Sequence, residues 1–271
     1  MTFSIVGRDG DAFGVAVASK FLAVGAYVPA ARAAAGALAT QAAANLGYKA
    51  AGLALLADRR PAADVVAALT GPDAERAHRQ LGAVDAAGGS ASFTGASCIP
   101  WAGHRTGPGY AVQGNCLTGP EVVEAAEAAF RDGSGSLTRR LLAALAAGDA
   151  AGGDKRGRQS AAVYVVSPAA GYGGNDDVLH DLRCDDSPAP VPELFRLLDL
   201  HDLYFGKPDP ATLVPMESVR AEVEGHLRRL GYDVAGFDAA FEAWLGTENY
   251  EERHVPGSID PLVLDRLRAQ V

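Results

Sequence analysis

Cysteine is scarce: Cys98, Cys116 and Cys184 are the three thiols in 271 residues, and no two form a CxxC pair. An odd count without paired spacing argues against a disulfide framework. Long apolar runs are missing as well, since none reaches the roughly 18 residues that a membrane-crossing helix needs. The opening residues, Met1-Thr2-Phe3-Ser4-Ile5-Val6, lack the basic stretch, apolar stretch and small-residue cleavage site of a secretory leader, so a cytoplasmic location is expected. Positive charge is in short supply. Twenty-four Lys and Arg face 33 Asp and Glu, a formal charge of -9, which leaves no electrostatic footprint for nucleic acid or an anionic membrane. Only four of the cations are lysines, and that scarcity draws attention to Lys20 and Lys155.

What is present suffices for a core. The chain is 48% hydrophobic and 21% charged, ordinary for a globular protein and long enough for one large domain or a domain with an appendage. Residues 2–8 and 13–21 are apolar, β-compatible runs around Asp9-Gly10-Asp11, which predicts a β-hairpin. A closely packed strand is expected at 33–41, helices at 48–58 and from Pro61, and short strands at 80–85 and 91–95. The stretch 98–109, with Trp101, His104, Arg105 and many glycines, reads as a loop. A strand at 110–113, helices near 120–131 and 137–148, and strands at 160–166 and 177–185 follow. Strand runs alternating with paired helices indicate a layered α/β or α+β sandwich, the latter preferred, rather than a strict βαβ wind. A helix to Phe205, a linker at 206–215 and an acidic helical tail close the chain, with helices expected near 216–230, 236–245 and 260–270. Residues 211–271 hold six basic and eleven acidic side chains.

With the hairpin turn centred on residues 10–11, Thr2 lies across from Ser19 and next to Lys20. A one-residue slip of register decides which of the two faces Thr2. Removal of Met1, which a small second residue permits, would leave Thr2 with both a nucleophilic Oγ and its own α-amine, whose reference pKa of about 8 supplies a base near neutrality. A nearby Lys20 ammonium would lower that pKa. Threonine at position 2 is also common in proteins that do nothing with it; the constellation is what singles it out.

The segments MTFSIVGRDG, GVAVASKFLAVGA, ATQAAAN, FTGASCIPWAGHRTGPGYAVQGN and GGDKRGRQSAA together closely resemble the DUF1028 family over residues 2–205. That family is similar in fold to the N-terminal nucleophile (Ntn) hydrolases, so the resemblance implies a four-layer αββα sandwich and, by analogy, an amide-bond hydrolase. Residues 216–271 resemble a peptidoglycan-binding-like helical domain through Gly231-Tyr232, Phe237, Trp244-Leu245-Gly246, Glu248-Asn249 and Ile259-Asp260-Pro261. That tail would bind a glycan or peptide, cover the active site or build a homo-oligomer interface.

On the Ntn analogy, Gly114 and Asn115, after a strand and before a helix, would donate to the oxyanion; a Gly-Asn pair is also a good turn. Asp154, in a glycine-rich loop, would orient the Thr2 ammonium with help from Ser160, or is an ordinary turn aspartate. The loop is no phosphate cradle, because GxxxxGK[ST] is absent and a strand follows. Trp101, His104 and Arg105 offer a lining for a small substrate bearing a carboxylate, although Trp101 also reads as a core ring. Gln41 and Asn45 could point into the same cleft, with helix capping as the other reading of Asn45. His180-Asp181, Cys184-Asp185-Asp186 and His201-Asp202 lack metal-site spacing and read as surface charge. The reaction so read takes a small-molecule substrate and no cofactor.

Overall fold

The computed structural model describes residues 2–270, and its contacts divide the chain into two compact units between Phe195 and Arg196. The first unit opens with the hairpin β1 (Thr2–Asp9) and β2 (Ala12–Ser19), turned by Gly10 in the left-handed region at φ 57°. The strand expected at 33–41 is β4 (Gly36–Ala42), and it is preceded by α1 (Val24–Tyr27) and β3 (Pro29–Arg32), with Ala34 turning the corner between the strands at φ 56°. Then come α2 (Gly47–Ala57), α3 (Ala62–Thr70), β5 (Arg79–Asp85) and β6 (Ser90–Thr94).

Residues 98–109 correct the sequence reading. Ala102–Gly107 is a strand, β7, paired residue for residue with β8 (Tyr110–Asn115). It lies at the edge of its sheet, half-exposed or exposed along its length, so it carries no apolar alternation from which a strand could be read. The unit continues with α4 (Glu121–Asp132), α5 (Leu137–Ala150), β9 (Ser160–Val166), β10 (Val178–Cys184) and α6 (Pro190–Phe205), the helix within which the two units divide.

All pairings are antiparallel. Six strands run in the order β10-β9-β2-β1-β8-β7, and four in the order β3-β4-β5-β6. Helices α4 and α5 cover one face of the larger sheet so closely that a Cβ on Gly7 or Gly14 would lie 2.8 Å from Phe130 or 2.7 Å from Leu141. Helices α2 and α3 pack through Leu56, Val65 and Leu69 on Leu38, Leu81 and Ala83 of the smaller sheet. The inner faces of the sheets meet through Val6, Val15, Val17, Ala37, Ala39 and Val84. The first unit is therefore a mixed α/β fold of two antiparallel sheets with helices on their outer faces.

The second unit is mainly helical: β11 (Val214–Pro215), α7 (Met216–Arg229), α8 (Phe237–Glu248), β12 (Ser258–Ile259) and α9 (Pro261–Ala269). Trp244, Phe237, Phe241, Val223, Leu227 and Leu267 form its core. Helix α9 starts where a helix should, with Asp260 accepting from Leu262 N and Pro261 in the first turn. Asp260 also pairs with buried Arg253 at 2.5 Å, and the guanidinium spends Nε on the Leu203 carbonyl at 2.6 Å. Among the described residues no helix is long and apolar enough to cross a membrane.

Candidate active site

Alternation along β1 sends Thr2, Ser4 and Val6 to the face between the sheets and Phe3, Ile5 and Gly7 toward the helices. In β2, Val15, Val17 and Ser19 share the inner face. The register pairs Phe3 with Ala18, so Ser19 is the residue opposite Thr2: Thr2 Oγ1 and Ser19 Oγ are 3.1 Å apart and both side chains are buried. Lys20, one position on, points elsewhere. Its ammonium is bonded to the Arg158 carbonyl at 3.3 Å on the exposed surface, and only its peptide N–H turns inward, to Asp154 Oδ2 at 2.9 Å.

Asp154 and Ser160 brace the corner that carries Ser19. Besides the Lys20 peptide, buried Asp154 accepts from Arg156 N and Nε at 3.0 Å each and from Arg156 Nη2 at 2.7 Å. Ser160 Oγ accepts from Val24 N at 3.0 Å and donates to the Phe21 carbonyl. A carboxylate and a hydroxyl so engaged hold residues 19–24 in place. Beside them lies a cavity of about 80 Å³ walled by Phe3, Ser19, Asp149, Asp154 and Gly157, with room for a small group only.

Behind Thr2 the sheet interior is polar, a feature the sequence reading missed apart from Gln41 and Asn115. Gln41 Oε1 accepts from Ser4 Oγ at 2.7 Å, and its Nε2 reaches Gln80 Oε1 at 2.8 Å and the Thr2 carbonyl at 3.3 Å. Asn115 Nδ2 likewise bonds Gln80 Oε1 at 2.9 Å and the Thr2 carbonyl at 3.4 Å. Gln113 donates to Ser4 Oγ at 2.7 Å and accepts from Ser92 Oγ at 3.0 Å. Its side chain fills the space where Gly82 has none, since a Cβ there would lie 1.9 Å from Gln113 Oε1. Gln80 Nε2 carries the chain on to Thr94 Oγ1 at 2.9 Å, and Thr94 meets His104 Nδ1 at 2.8 Å. A signal was available: Gln80 and Gln113 occupy inward positions of otherwise apolar strands, where an amide is costly unless it is bonded.

This network changes the reading of the expected oxyanion donors. The two Asn115 amide hydrogens face Gln80 and the Thr2 carbonyl, and Gly114 sits inside the ladder between Phe3 and Gly103 with its carbonyl taken by Gln80. The next backbone donors are also used, Cys116 N by the Ile99 carbonyl and Leu117 N by the Trp101 carbonyl. These groups hold the strand that carries Thr2.

The adjacent pair His104 and Arg105 does not line one cleft, because neighbours on a strand face opposite sides. His104 lies on the inner side with Thr94, while Arg105 reaches α4 and binds Glu127 at 2.6 Å. His104 keeps part of its ring in solvent, and the protein packed on the rest pushes its pKa down. Trp101 is half-buried, with its ring over Gly103. Asn45 belongs to a different cluster, accepting from Gly47 N at 3.0 Å as α2 begins and donating to Asp73 at 3.2 Å. Asp73 is held well below the usual carboxylate range by the hydrogen bonds of Tyr48, Arg79 and Asn45, while burial and then the Asp73 contact push the Tyr48 phenol up to about 12. Burial raises the Cys98 thiol, which keeps it protonated and poorly nucleophilic.

Two antiparallel sheets with helices outside, polar at one end and apolar at the other, define the class of α/β protein to which the first unit belongs. Residues 2–194 match the model of a family of unknown function, DUF1028, and the chain belongs to that family. Residues 204–267 match a second model, described as "Putative peptidoglycan binding domain". The crystal structure of protein SPO2555 from Silicibacter pomeroyi, matched to the same DUF1028 model, is similar at 34% identity and a TM-score of 0.68, over 74% of this chain and 86% of that one. A search of curated proteins finds no match.

Proposed function

We propose that the first unit is a hydrolase of the Ntn type, a four-layer sandwich that cleaves an amide or related C–N bond of a small polar metabolite. The observation that carries this reading is the buried Thr2–Ser19 hydroxyl pair, 3.1 Å apart, at the start of the first strand. Met1 lies outside the described residues, and the reading requires its removal. Thr2 Oγ then attacks the carbonyl carbon, its proton passing through Ser19 Oγ or one water to the Thr2 amine. The amine returns the proton to the leaving nitrogen as the C–N bond breaks, and water resolves the ester. Asn115 and Gln41 position Thr2 through its carbonyl, with Gly114 in the strand beside it. Lys20 (through its peptide), Asp154 and Ser160 fix the corner bearing Ser19. No cofactor enters.

Intact mass before and after treatment with a hydroxyl-reactive β-lactone tests this. Loss of Met1 and one adduct mapped to Thr2 is the expected result, and Thr2→Ala should reduce hydrolysis at least ~100-fold. A retained Met1 with no adduct at Thr2 would remove the proposal. The second reading, a binding protein whose residues 204–267 take a glycan or peptide, is favoured by a cleft of about 600 Å³ in the second unit, lined by Arg220, Phe237, Phe241 and His254 among others. Retention on insoluble peptidoglycan, lost in Arg220→Ala, checks it.

A further inference from the structure

Thr2 is not the one hydroxyl near a base. Thr94 ends β6, His104 lies on β7, and their Oγ1 and Nδ1 atoms are 2.8 Å apart. The amide behind them restricts where the hydroxyl proton can point. Gln80 Oε1 accepts from Gln41 and Asn115, whereas its Nε2 faces the Gly103 carbonyl at 3.1 Å and the Gly114 carbonyl at 2.8 Å, groups that only accept. Turning the amide over would set oxygen against oxygen, so Nε2 is the atom next to Thr94 and donates to its hydroxyl at 2.9 Å. The hydroxyl proton is then free to point at His104 Nδ1, which accepts it when the ring carries its own proton on Nε2. A hydroxyl held by the Gln80 amide on one side and facing an imidazole on the other sets an oxygen nucleophile beside a base.

The pair is accessible in the full-length chain. Thr94 is half-buried and His104 exposed, and both line a cleft of about 540 Å³ whose other walls, Gly95, Ala96, Pro100 and Ala102 among them, are small and uncharged. Such walls suit a short neutral acyl group and offer nothing to a charged one. The lowered His104 pKa keeps the ring in its proton-accepting form at neutral pH.

We propose that Thr94 and His104 form a second acyl-transfer site, one that hydrolyses small uncharged esters and needs no free N-terminus. Thr94 Oγ1 attacks the ester carbonyl carbon as its proton passes to His104 Nδ1. The bond to the leaving oxygen breaks, that oxygen takes the proton from His104, and an acyl-Thr94 ester remains. Water, deprotonated by the same imidazole, attacks this ester and releases the carboxylic acid, restoring the Thr94 hydroxyl.

The full-length protein should turn over p-nitrophenyl acetate, with the acetyl group found on the Thr94 peptide in acid-quenched samples. His104→Gln should lower the rate ~100-fold. Thr94→Ser should retain turnover and Thr94→Val abolish it, each checked for an unchanged thermal unfolding profile; if Thr94→Val unfolds, Thr94→Ser and His104→Gln carry the test. The rate should rise with pH through an inflection below the ordinary imidazole value of about 6.5. The Thr94 adduct should also persist in Thr2→Ala, which separates this site from the one proposed above. Acetyl absent from Thr94, a folded Thr94→Val as active as the parent, or an unaffected His104→Gln would each overturn the proposal.

Discussion

The space between the two sheets is filled in two ways. Toward the turn of the first hairpin it is aliphatic, with Val6, Val15, Ala37 and Val84 clustered. Toward the start of β1 the equivalent inward positions hold Ser4, Gln41, Gln80, Gln113 and Asn115, equally buried. The aliphatic end gains from removal of apolar surface from water, a non-directional effect that tolerates changes of shape. The amide end gains little net energy from any one hydrogen bond, but every member must keep its partners, because an orphaned buried donor or acceptor costs its full desolvation. Among the described residues no buried side-chain nitrogen or oxygen lacks a partner. The polar end is thus rigid and specific where the aliphatic end is merely cohesive, and it adjoins both candidate hydroxyls, Thr2 and Thr94.

Removing the hub should show the contrast most strongly. Gln80→Leu leaves Gln41, Asn115, Thr94 and two carbonyls short of a partner, and should cost about 4 kcal/mol in urea denaturation. At the other end, Val15→Ala leaves a small cavity and should cost about 2 kcal/mol. If the two losses came out in the reverse order, the distinction between the ends would fail.

The smallest effect concerns the rim. The protein packed on part of the exposed His104 ring holds its pKa below its unfolded value, so the folded state favours the neutral ring. That contribution to stability is complete above the unfolded imidazole pKa and is lost as pH falls through the folded one. An NMR titration should place His104 below an exposed histidine of the same chain, and Thr94→Ala should alter its midpoint. A midpoint at the ordinary value would show that the imidazole is solvated and uncoupled from the amide chain.

Much of the first unit could be read locally. Asp9-Gly10-Asp11 predicts the hairpin and brings Thr2 near residues 19 and 20, while the register that sets Ser19 against it comes from the folded sheet. Strand β7 escaped because an edge strand rich in glycine and charge shows no period. Asn45 and Arg105 look like cleft residues in a linear reading, but they belong to the Asp73 cluster and to α4. Gln80 and Gln113 are not legible as site residues, because an isolated glutamine in a strand says nothing about partners supplied by other strands.

The sequence by itself determined what depends on near neighbours: turn chemistry, helix starts at Pro61 and Asp260-Pro261, and the family to which the chain belongs. Tertiary structure alone decided which polar groups meet. Ser4, Gln41, Gln80, Thr94, His104, Gln113 and Asn115 come from six strands, and only the stacking of one sheet on the other brings their donors and acceptors within hydrogen-bond reach. Hydrogen bonds act over about 3 Å, so their partners are set by where the strands lie, and separation along the chain carries no information about that distance.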